Sequence, residues 1–398
     1  MRSQCPIILL ILSVGVALGQ STSPIPPDAK SAIGELRKEP FRAHMAFLAD
    51  DLLEGRGTGK RGHEIAARYV AAQFEAMGLQ PAGVGGTYFQ RVPMREIYVE
   101  SEKCAMAIAG SGGVASTLKW GEDFVMFRDH AGIADEDTLD APLIFAGYGV
   151  RTPDGSYDDY SGLDVKGKIV LLLSGAPHLL SSELSAHLAE SREKLRAARD
   201  HGAVGVVFIW TPQVDKIYAW PHLARDASIP SMSWLDPAGL PGDSFPDIRV
   251  IAYVSAAAAK KLFQHVSKSW TEVLRDADAS KPQGFALNLT AHMRLVSHHS
   301  LVSSPNVLAV LTGSDSKLSH EYVVYSAHVD HLGIGEPVNG DSIYNGALDD
   351  ASGVAALLVI AKAFKSLAHA PARSILFFGA TGEEPGMLGS DYFAHFPT

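Results

Sequence analysis

The sequence predicts an α/β fold in the C-terminal part of the chain, preceded by a β-rich module. Apolar runs at residues 306–311, 322–327 and 374–380 are typical of buried strands. Residues 353–364 predict a helix between the second and third of these strands. Strands that are almost wholly apolar, with a helix between them, indicate a sheet that is covered on both faces.

The composition is that of a globular protein. The chain has 398 residues, of which 46% are apolar and 20% are charged, so it is long enough for two or three domains. Its net charge is −10 and no basic run stands out. Because such a chain repels phosphate backbones, we expect no nucleic-acid partner. Nothing in the sequence indicates the oligomeric state.

The first 19 residues have the pattern of a signal peptide. Arg2 supplies a positive start, residues 7–18 form an apolar stretch, and small residues follow at the expected cleavage site. The stretch is too short to span a bilayer comfortably, which disfavours the alternative of an uncleaved anchor. We expect a secreted or periplasmic protein with no membrane partner after cleavage. Its remaining cysteine, Cys104, is expected to be a small buried residue rather than a nucleophile.

Two helices and a β-rich block are predicted upstream of the α/β part. The helices are expected at residues 41–51 and 62–77. The glycine-rich loop between them, residues 54–59, has neither a preceding apolar strand nor a Gly-Lys-Ser/Thr ending, so we interpret it as a flexible connector rather than a phosphate cradle. Buried strands are predicted at residues 142–150 and 168–173, within a module that has few candidate catalytic residues.

A histidine and an aspartate follow the predicted strand at residues 322–327. His328 and Asp330 are two residues apart, so in extended backbone they project to the same face. A metal-bound histidine usually needs a carboxylate on or near its other ring nitrogen, and Asp330 can supply one. This pair is therefore a candidate metal ligand with its orienting partner.

Two acidic pairs follow in the same part of the chain. Asp349 and Asp350 lie where the predicted helix begins, and Glu383 and Glu384 follow the last predicted strand. Adjacent residues near a strand end point in different directions, so one glutamate can bind metal while the other accepts a proton from water. Either pair alone is more typical of a helix cap or a solvated surface. Their occurrence together, at strand and helix ends, favours a metal site.

These motifs carry a family resemblance. In order, AHVDHLG, GALDDASG, GATGEE and GMLGS resemble the co-catalytic zinc aminopeptidase family that includes secreted bacterial leucyl-type aminopeptidases. The segment LADDLLEGRGTGKRGHEIAARYVAAQFEAMGLQPAG is similar to the N-terminal portion of that family, and FAGYGV with the strands after it resembles an inserted protease-associated domain. The resemblance implies a three-layer α/β/α mixed-sheet peptidase domain, with a signal peptide at residues 1–19, an N-terminal peptidase portion at 28–136, the insert at 137–255 and the catalytic portion at 256–398.

By position, the resemblance implies a site for two zinc ions. His328 binds one zinc, Glu384 binds the second, and Asp349 bridges the two. Glu383 is the general base and Asp330 orients His328. In such a site the metal ions polarise the scissile carbonyl and lower the pKa of a bound water.

The resemblance also implies three finer features. His331 and Asp350 are expected to be neighbours without a direct metal role, and the Asp349–Asp350 peptide is expected to be cis. The family supplies a further acidic ligand and a second histidine after the Glu-Glu segment. Because neither occurs before Thr398, and His395 is expected to belong to a helix, the 398 residues alone are expected to be inactive.

The leading functional hypothesis is a zinc-dependent aminopeptidase with peptide substrates. A carboxypeptidase of the same fold and a non-catalytic binding protein that keeps the peptidase scaffold are the alternatives. The inserted module disfavours a third alternative, a glutaminyl cyclase. Neither the side-chain preference nor the role of the insert follows from the sequence.

Overall fold

The structure, a computed structural model, describes residues 25–34, 36–110, 115–242, 244–280 and 283–398. The predicted signal peptide at residues 1–19 lies outside these ranges. Within them, no helix combines the length and the apolar character that a membrane crossing requires.

The described residues form a mixed α/β structure. The strands are β1 Gln80–Pro81, β2 Phe89–Val99, β3 Ala105–Gly110, β4 Ala115–Thr117, β5 Phe124–Phe127, β6 Glu136–Phe145, β7 Ile169–Leu173, β8 Gly205–Ile209, β9 Ser231–Trp234, β10 Val250–Val254, β11 Phe285–Leu311, β12 Tyr322–His328, β13 Gly333–Val338, β14 Asp341–Tyr344 and β15 Ser374–Ala380. The α-helices are α1 Pro27–Gly34, α2 Lys38–Leu48, α3 Arg61–Ala76, α4 Ser182–Ala189, α5 Ser191–Asp200, α6 Pro212–Asp215, α7 Trp220–Asp226, α8 Ala256–Leu262, α9 Trp270–Asp278, α10 Ser352–Lys365 and α11 Leu388–His395. The two predicted N-terminal helices correspond to α2 and α3, which confirms them.

One long strand, β11, joins the two parts of the main sheet. Its first half pairs with β6 and β3, its middle pairs with β2, and its last residues pair with β15. Only residues 306–311 of this 27-residue strand were predicted from the sequence. Residues 285–295 alternate between buried and more exposed positions, as expected for a strand whose two faces differ.

The C-terminal part of the sheet is covered on both faces, as predicted. Residues of β15 alternate between the two faces: Phe377 packs in a core with α2, α3 and α10, whereas Phe378 packs against α11. Phe74 of α3 and Leu358 of α10 are fully buried in the first of these cores. Helices α2, α3 and α10 pack in this core beside Ala327 and Val329, at the end of β12, where the candidate site lies.

The outer strand of this part, β12, departs from the prediction of a wholly buried strand. It pairs in parallel with β15 along one edge. Tyr322, Val323 and Val324 are exposed, with 57%, 44% and 50% of their surface accessible. Their apolar character therefore reflects strand propensity as well as burial.

A second core lies among the strands of the middle of the chain. It contains Leu171, Val207 and Val250 from β7, β8 and β10, together with residues of α8, α9 and the first half of β11. Residues 256–295, which the sequence analysis placed with the catalytic portion, therefore pack in the same core as the insert strands. The boundary after residue 255 remains a prediction. Cys104 is half-buried, and burial raises the pKa of its thiol.

Buried histidines should make the fold sensitive to acid. Burial lowers the pKa of His63, at the start of α3, to about 4. An unfolded histidine has a pKa near 6.5, so the unfolded state binds the proton first as the pH falls. We expect His63 to lower the free energy of unfolding by about 2 kcal/mol between pH 7.5 and pH 5, measured by urea titration. Replacing His63 by glutamine should remove this part of the pH dependence, and an unchanged slope in that variant would contradict the assignment.

Candidate active site

The candidate site forms where two adjacent parallel strands end. β12 and β15 are paired in register up to His328 and Ala380, so their carboxyl ends meet at one edge of the sheet. The Glu383-Glu384 pair follows β15 after two residues, and the Asp349-Asp350 pair precedes α10. The placement follows the general rule that chemistry in such sheets gathers at strand ends.

The structure brings together the side chains that the sequence analysis selected. His328 Nε2 lies 2.9 Å from Asp349 Oδ1 and 3.8 Å from Glu383 Oε2. Donor atoms of His328, Glu383 and Glu384 all lie within 4.8 Å of one another. The Asp349 side chain is 66% exposed, so the cluster is open to solvent on one side. Three separated segments therefore supply one compact set of potential metal ligands.

His331 also lies in this cluster, although it was expected to have no direct metal role. Its Nδ1 contacts Glu384 Oε1. Donor atoms of His331, Asp349 and Glu384 form a second group within 4.8 Å. His331 is thus placed either to hold the Glu384 carboxylate or to bind metal beside it.

Asp330 orients its neighbours differently from what was expected. The His328 Nδ1 atom lies 3.1 Å from the Asp330 backbone carbonyl, whereas the nearest oxygen of the Asp330 carboxylate is 3.9 Å away. The carboxylate instead accepts hydrogen bonds from the backbone N–H groups of Glu383 and Glu384, at 3.2 and 3.4 Å, and from the Thr58 hydroxyl at 2.8 Å. Asp330 is fully buried, so these bonds fix the start of the Glu-Glu segment.

The Asp349–Asp350 peptide is cis, as the resemblance implied. The Asp350 carboxylate accepts hydrogen bonds from the backbone N–H of His328 at 3.3 Å and of Gly353 at 2.9 Å. Asp350 therefore joins the end of β12 to the first turn of α10. This structural role agrees with its expected place beside the metal site.

Negative charge accumulates in the cluster. Burial alone would lower the pKa of His328, but the carboxylates of Asp330, Asp350 and Glu383 raise it above its ordinary value. Burial raises the pKa of Glu384, the His331 contact opposes this, and the nearby carboxylate of Asp349 adds to it. Several carboxylates beside two histidines form a site suited to a cation.

The glycine-rich loop is not the flexible connector that the sequence analysis expected. Residues 51–56 form a tight turn in which Arg56 is 1% exposed. Its guanidinium binds backbone carbonyls next to the candidate ligands, and Thr58 binds Asp330. An arginine and a threonine among glycines are the only local sign of this role, because their partners at the candidate site lie more than 270 residues away.

His395 is not part of the cluster. Its Nδ1 lies 2.9 Å from the Asp391 backbone carbonyl, and its ring packs against Trp234. This agrees with the expectation that it belongs to a helix.

Comparisons with known proteins find family matches for two segments of the chain. Residues 306–398 match the model for peptidase family M28, and residues 139–234 match the model for the PA domain. A probable zinc metalloprotease of Pyrenophora tritici-repentis is 38% identical over 93 residues, which are 23% of this chain and 18% of that protein. Aminopeptidase NAALADL1 of Mus musculus is 32% identical over 122 residues, which are 30% of this chain and 14% of that protein. The matched segments are thus under a fifth of each relative's length.

A solved structure supports the fold. The aminopeptidase from Aneurinibacillus sp. strain AM-1 aligns with 93% of this chain and 68% of its own, with a TM-score of 0.51 and 18% sequence identity. At this identity the likeness concerns the fold alone. Residues 306–398 thus match peptidase family M28, and residues 139–234, which precede them in the chain, match the PA domain.

Proposed function

We propose that the protein is a zinc-dependent aminopeptidase that hydrolyses N-terminal residues from peptides. The observation that carries the proposal is the meeting of His328, Asp349, Glu383 and Glu384 from three segments within a few ångströms. The family match and the names of the relatives, a probable zinc metalloprotease and an aminopeptidase, support it.

The donor atoms of the cluster suit zinc. Zinc in proteins takes histidine nitrogen and carboxylate oxygen, which are the atoms that this cluster presents. We assign His328, Asp349 and Glu384 as the ligands that would hold two zinc ions. When bound, zinc supplies Lewis-acid polarisation of the scissile carbonyl and lowers the pKa of a water molecule.

The protein side chains would orient the reactants and move the proton. The Glu383 carboxylate is 40% exposed and lies beside His328, so it can accept a proton from the attacking water and deliver it to the leaving amine nitrogen. Asp330 holds the backbone of Glu383 and Glu384 in place. Asp350 fixes the end of β12, which carries His328.

Removal of metal should abolish the peptidase activity of the full-length protein, by which we mean these 398 residues together with any that its gene encodes after them. Without metal, nothing in the cluster activates water strongly at neutral pH, so we expect hydrolysis of aminoacyl anilides to stop after chelation and to return with added zinc. Release of the chromogenic aniline measures the rate. Activity that survives complete removal of metal would contradict the proposal.

Substrate end groups separate the proposal from its alternatives. An aminopeptidase cleaves a peptide with a free N-terminus and a blocked C-terminus, whereas a carboxypeptidase of the same fold has the opposite requirement. A non-catalytic binding protein would cleave neither substrate. The presence of the candidate base Glu383 beside His328 favours an enzyme over a non-catalytic binding protein.

We also propose that the protein is exported from the cytoplasm. This rests on the charged start and the apolar stretch within residues 1–19, which lie outside the described ranges. The N-terminal sequence of the mature protein, read after secretion from its host, tests it.

A further inference from the structure

A buried arginine links the loops that carry the candidate metal ligands. Arg56 is 1% exposed, and its Nε donates to the Val329 carbonyl at 2.9 Å. Its Nη1 donates to the carbonyls of Leu48 and Asn345, the latter at 2.7 Å, and its Nη2 donates to the Gly346 carbonyl at 3.0 Å. A single planar side chain therefore binds four backbone acceptors.

Three of these acceptors adjoin the candidate ligands. Val329 lies between His328 and Asp330, and the Asn345-Gly346 pair begins the turn that leads to Asp349. The guanidinium therefore fixes the spacing between the His328 loop and the Asp349 loop. A rigid group with several donors in one plane suits this role better than a flexible amine.

Thr58 extends the link to the third loop. Its hydroxyl donates to Asp330, whose carboxylate accepts the backbone N–H groups of Glu383 and Glu384. The backbone of the same turn contributes too, because the His331 N–H donates to the Arg56 carbonyl at 3.1 Å. All three ligand-bearing loops are thus connected through residues 56–58.

The backbone of the turn adopts the left-handed region at three consecutive residues. Glu54, Gly55 and Arg56 have φ values of 51°, 64° and 52°. A Cβ atom at Gly55 would lie 2.4 Å from the Gly333 carbonyl oxygen, so only glycine allows the turn to pack so closely. Non-glycine residues seldom adopt this conformation, and it persists where the surrounding structure enforces it, often at functional sites.

The hydrogen bonds of Arg56 indicate a geometric role, beside the attraction between its charge and the carboxylates of the cluster. The hydrogen bonds of its guanidinium end on neutral carbonyls. Its positive charge near the cluster repels a bound cation, so charge alone would weaken metal binding. The feature that favours binding is the fixed arrangement of the loops.

We propose that Arg56 and Thr58 are positioning residues that set the metal affinity of the site by holding its three loops together. The proposal rests on the proposed metal-dependent function. Residues that orient metal ligands typically change metal affinity by about 10- to 100-fold when they are replaced.

The first test compares Thr58→Val with Thr58→Ser in the full-length protein. Valine has the shape of threonine but cannot donate to Asp330, whereas serine keeps the hydroxyl. We expect zinc affinity, measured by competition with a chromophoric chelator, to fall about 10- to 100-fold in T58V and to stay near the wild-type value in T58S. The visible absorption of bound Co²⁺, which depends on ligand geometry, should change in T58V alone.

The second test separates geometry from charge at Arg56. Lysine keeps the positive charge but donates from one nitrogen, so Arg56→Lys should also weaken zinc binding about 10- to 100-fold. Arg128→Lys is the matched control, because Arg128 is a buried arginine whose Nε donates to Ser297 Oγ at 2.7 Å, outside the cluster. We expect R128K to keep the zinc affinity of the wild type.

The outcomes distinguish the two proposals. A wild-type protein that binds no zinc would contradict the proposed function. Normal zinc binding by the wild type, with unchanged affinity and unchanged Co²⁺ absorption in T58V and R56K, would contradict only the positioning role. If R56K does not fold, the comparison of T58V with T58S decides.

Discussion

Replacing Glu383 by glutamine is expected to lower the turnover number of the full-length protein by about 10²- to 10⁴-fold, with little change in bound zinc. The amide has the shape of the carboxylate but cannot accept a proton from water. The Glu383 side chain lies 3.8 Å from His328 and is partly exposed, which suits a proton acceptor at the edge of a metal site. Hydrolysis of an aminoacyl anilide and zinc content per chain are the two measurements.

Glu122→Gln is a suitable control for the loss of one negative charge. Glu122 is exposed and pairs with Lys119, away from the cluster. We expect this variant to keep wild-type turnover. Full activity in E383Q would show that another group accepts the proton.

Replacing Asp330 by asparagine is expected to weaken zinc binding about 10- to 100-fold and to lower the free energy of unfolding by about 1–3 kcal/mol. The buried carboxylate accepts three hydrogen bonds, from Thr58, Glu383 and Glu384. An amide cannot accept all three, because its NH₂ group is a donor. Chelator competition and urea unfolding measure the two effects.

Asp159→Asn provides a matched control in the segment that resembles the PA domain. Asp159 is also buried, and it accepts hydrogen bonds from the backbone N–H groups of Tyr148 and Val150 and from the Tyr157 hydroxyl. D159N should therefore disturb a buried hydrogen-bond network of the same kind while keeping zinc affinity. Equal losses of zinc affinity in D159N and D330N would show that Asp330 acts through general stability.

Much of the fold and of the candidate site follows from local patterns in the sequence. The apolar run at residues 374–380 predicts a buried strand, and the acidic pair after it lies at the sheet edge because strand ends meet there. The same reasoning places His328 beside that pair. The roles of these side chains remain predictions, whereas their proximity is observed.

The features that the sequence analysis missed depend on distant contacts. Arg56 binds carbonyls as far as 290 positions along the chain, and no local pattern records such partners. The Asp330 carboxylate was expected to orient His328. It instead accepts a hydrogen bond from the backbone N–H of Glu383, which follows β15 and lies 53 positions away in the sequence. Only the end of β11, where most successive residues are buried, was predicted as a strand. The alternating residues at its start form no continuous apolar run that would predict a buried strand.

An anomalous diffraction experiment on crystals of the zinc-loaded protein tests the proposed zinc ligands most directly. Data collected on either side of the zinc absorption edge locate the ions without assumptions about their ligands. We expect two anomalous peaks at about 2.0–2.2 Å from ligand atoms that include His328, Asp349 and Glu384, with Asp349 in contact with both. Peaks that lie elsewhere, or no peak beside these residues in a zinc-loaded crystal, would contradict this assignment.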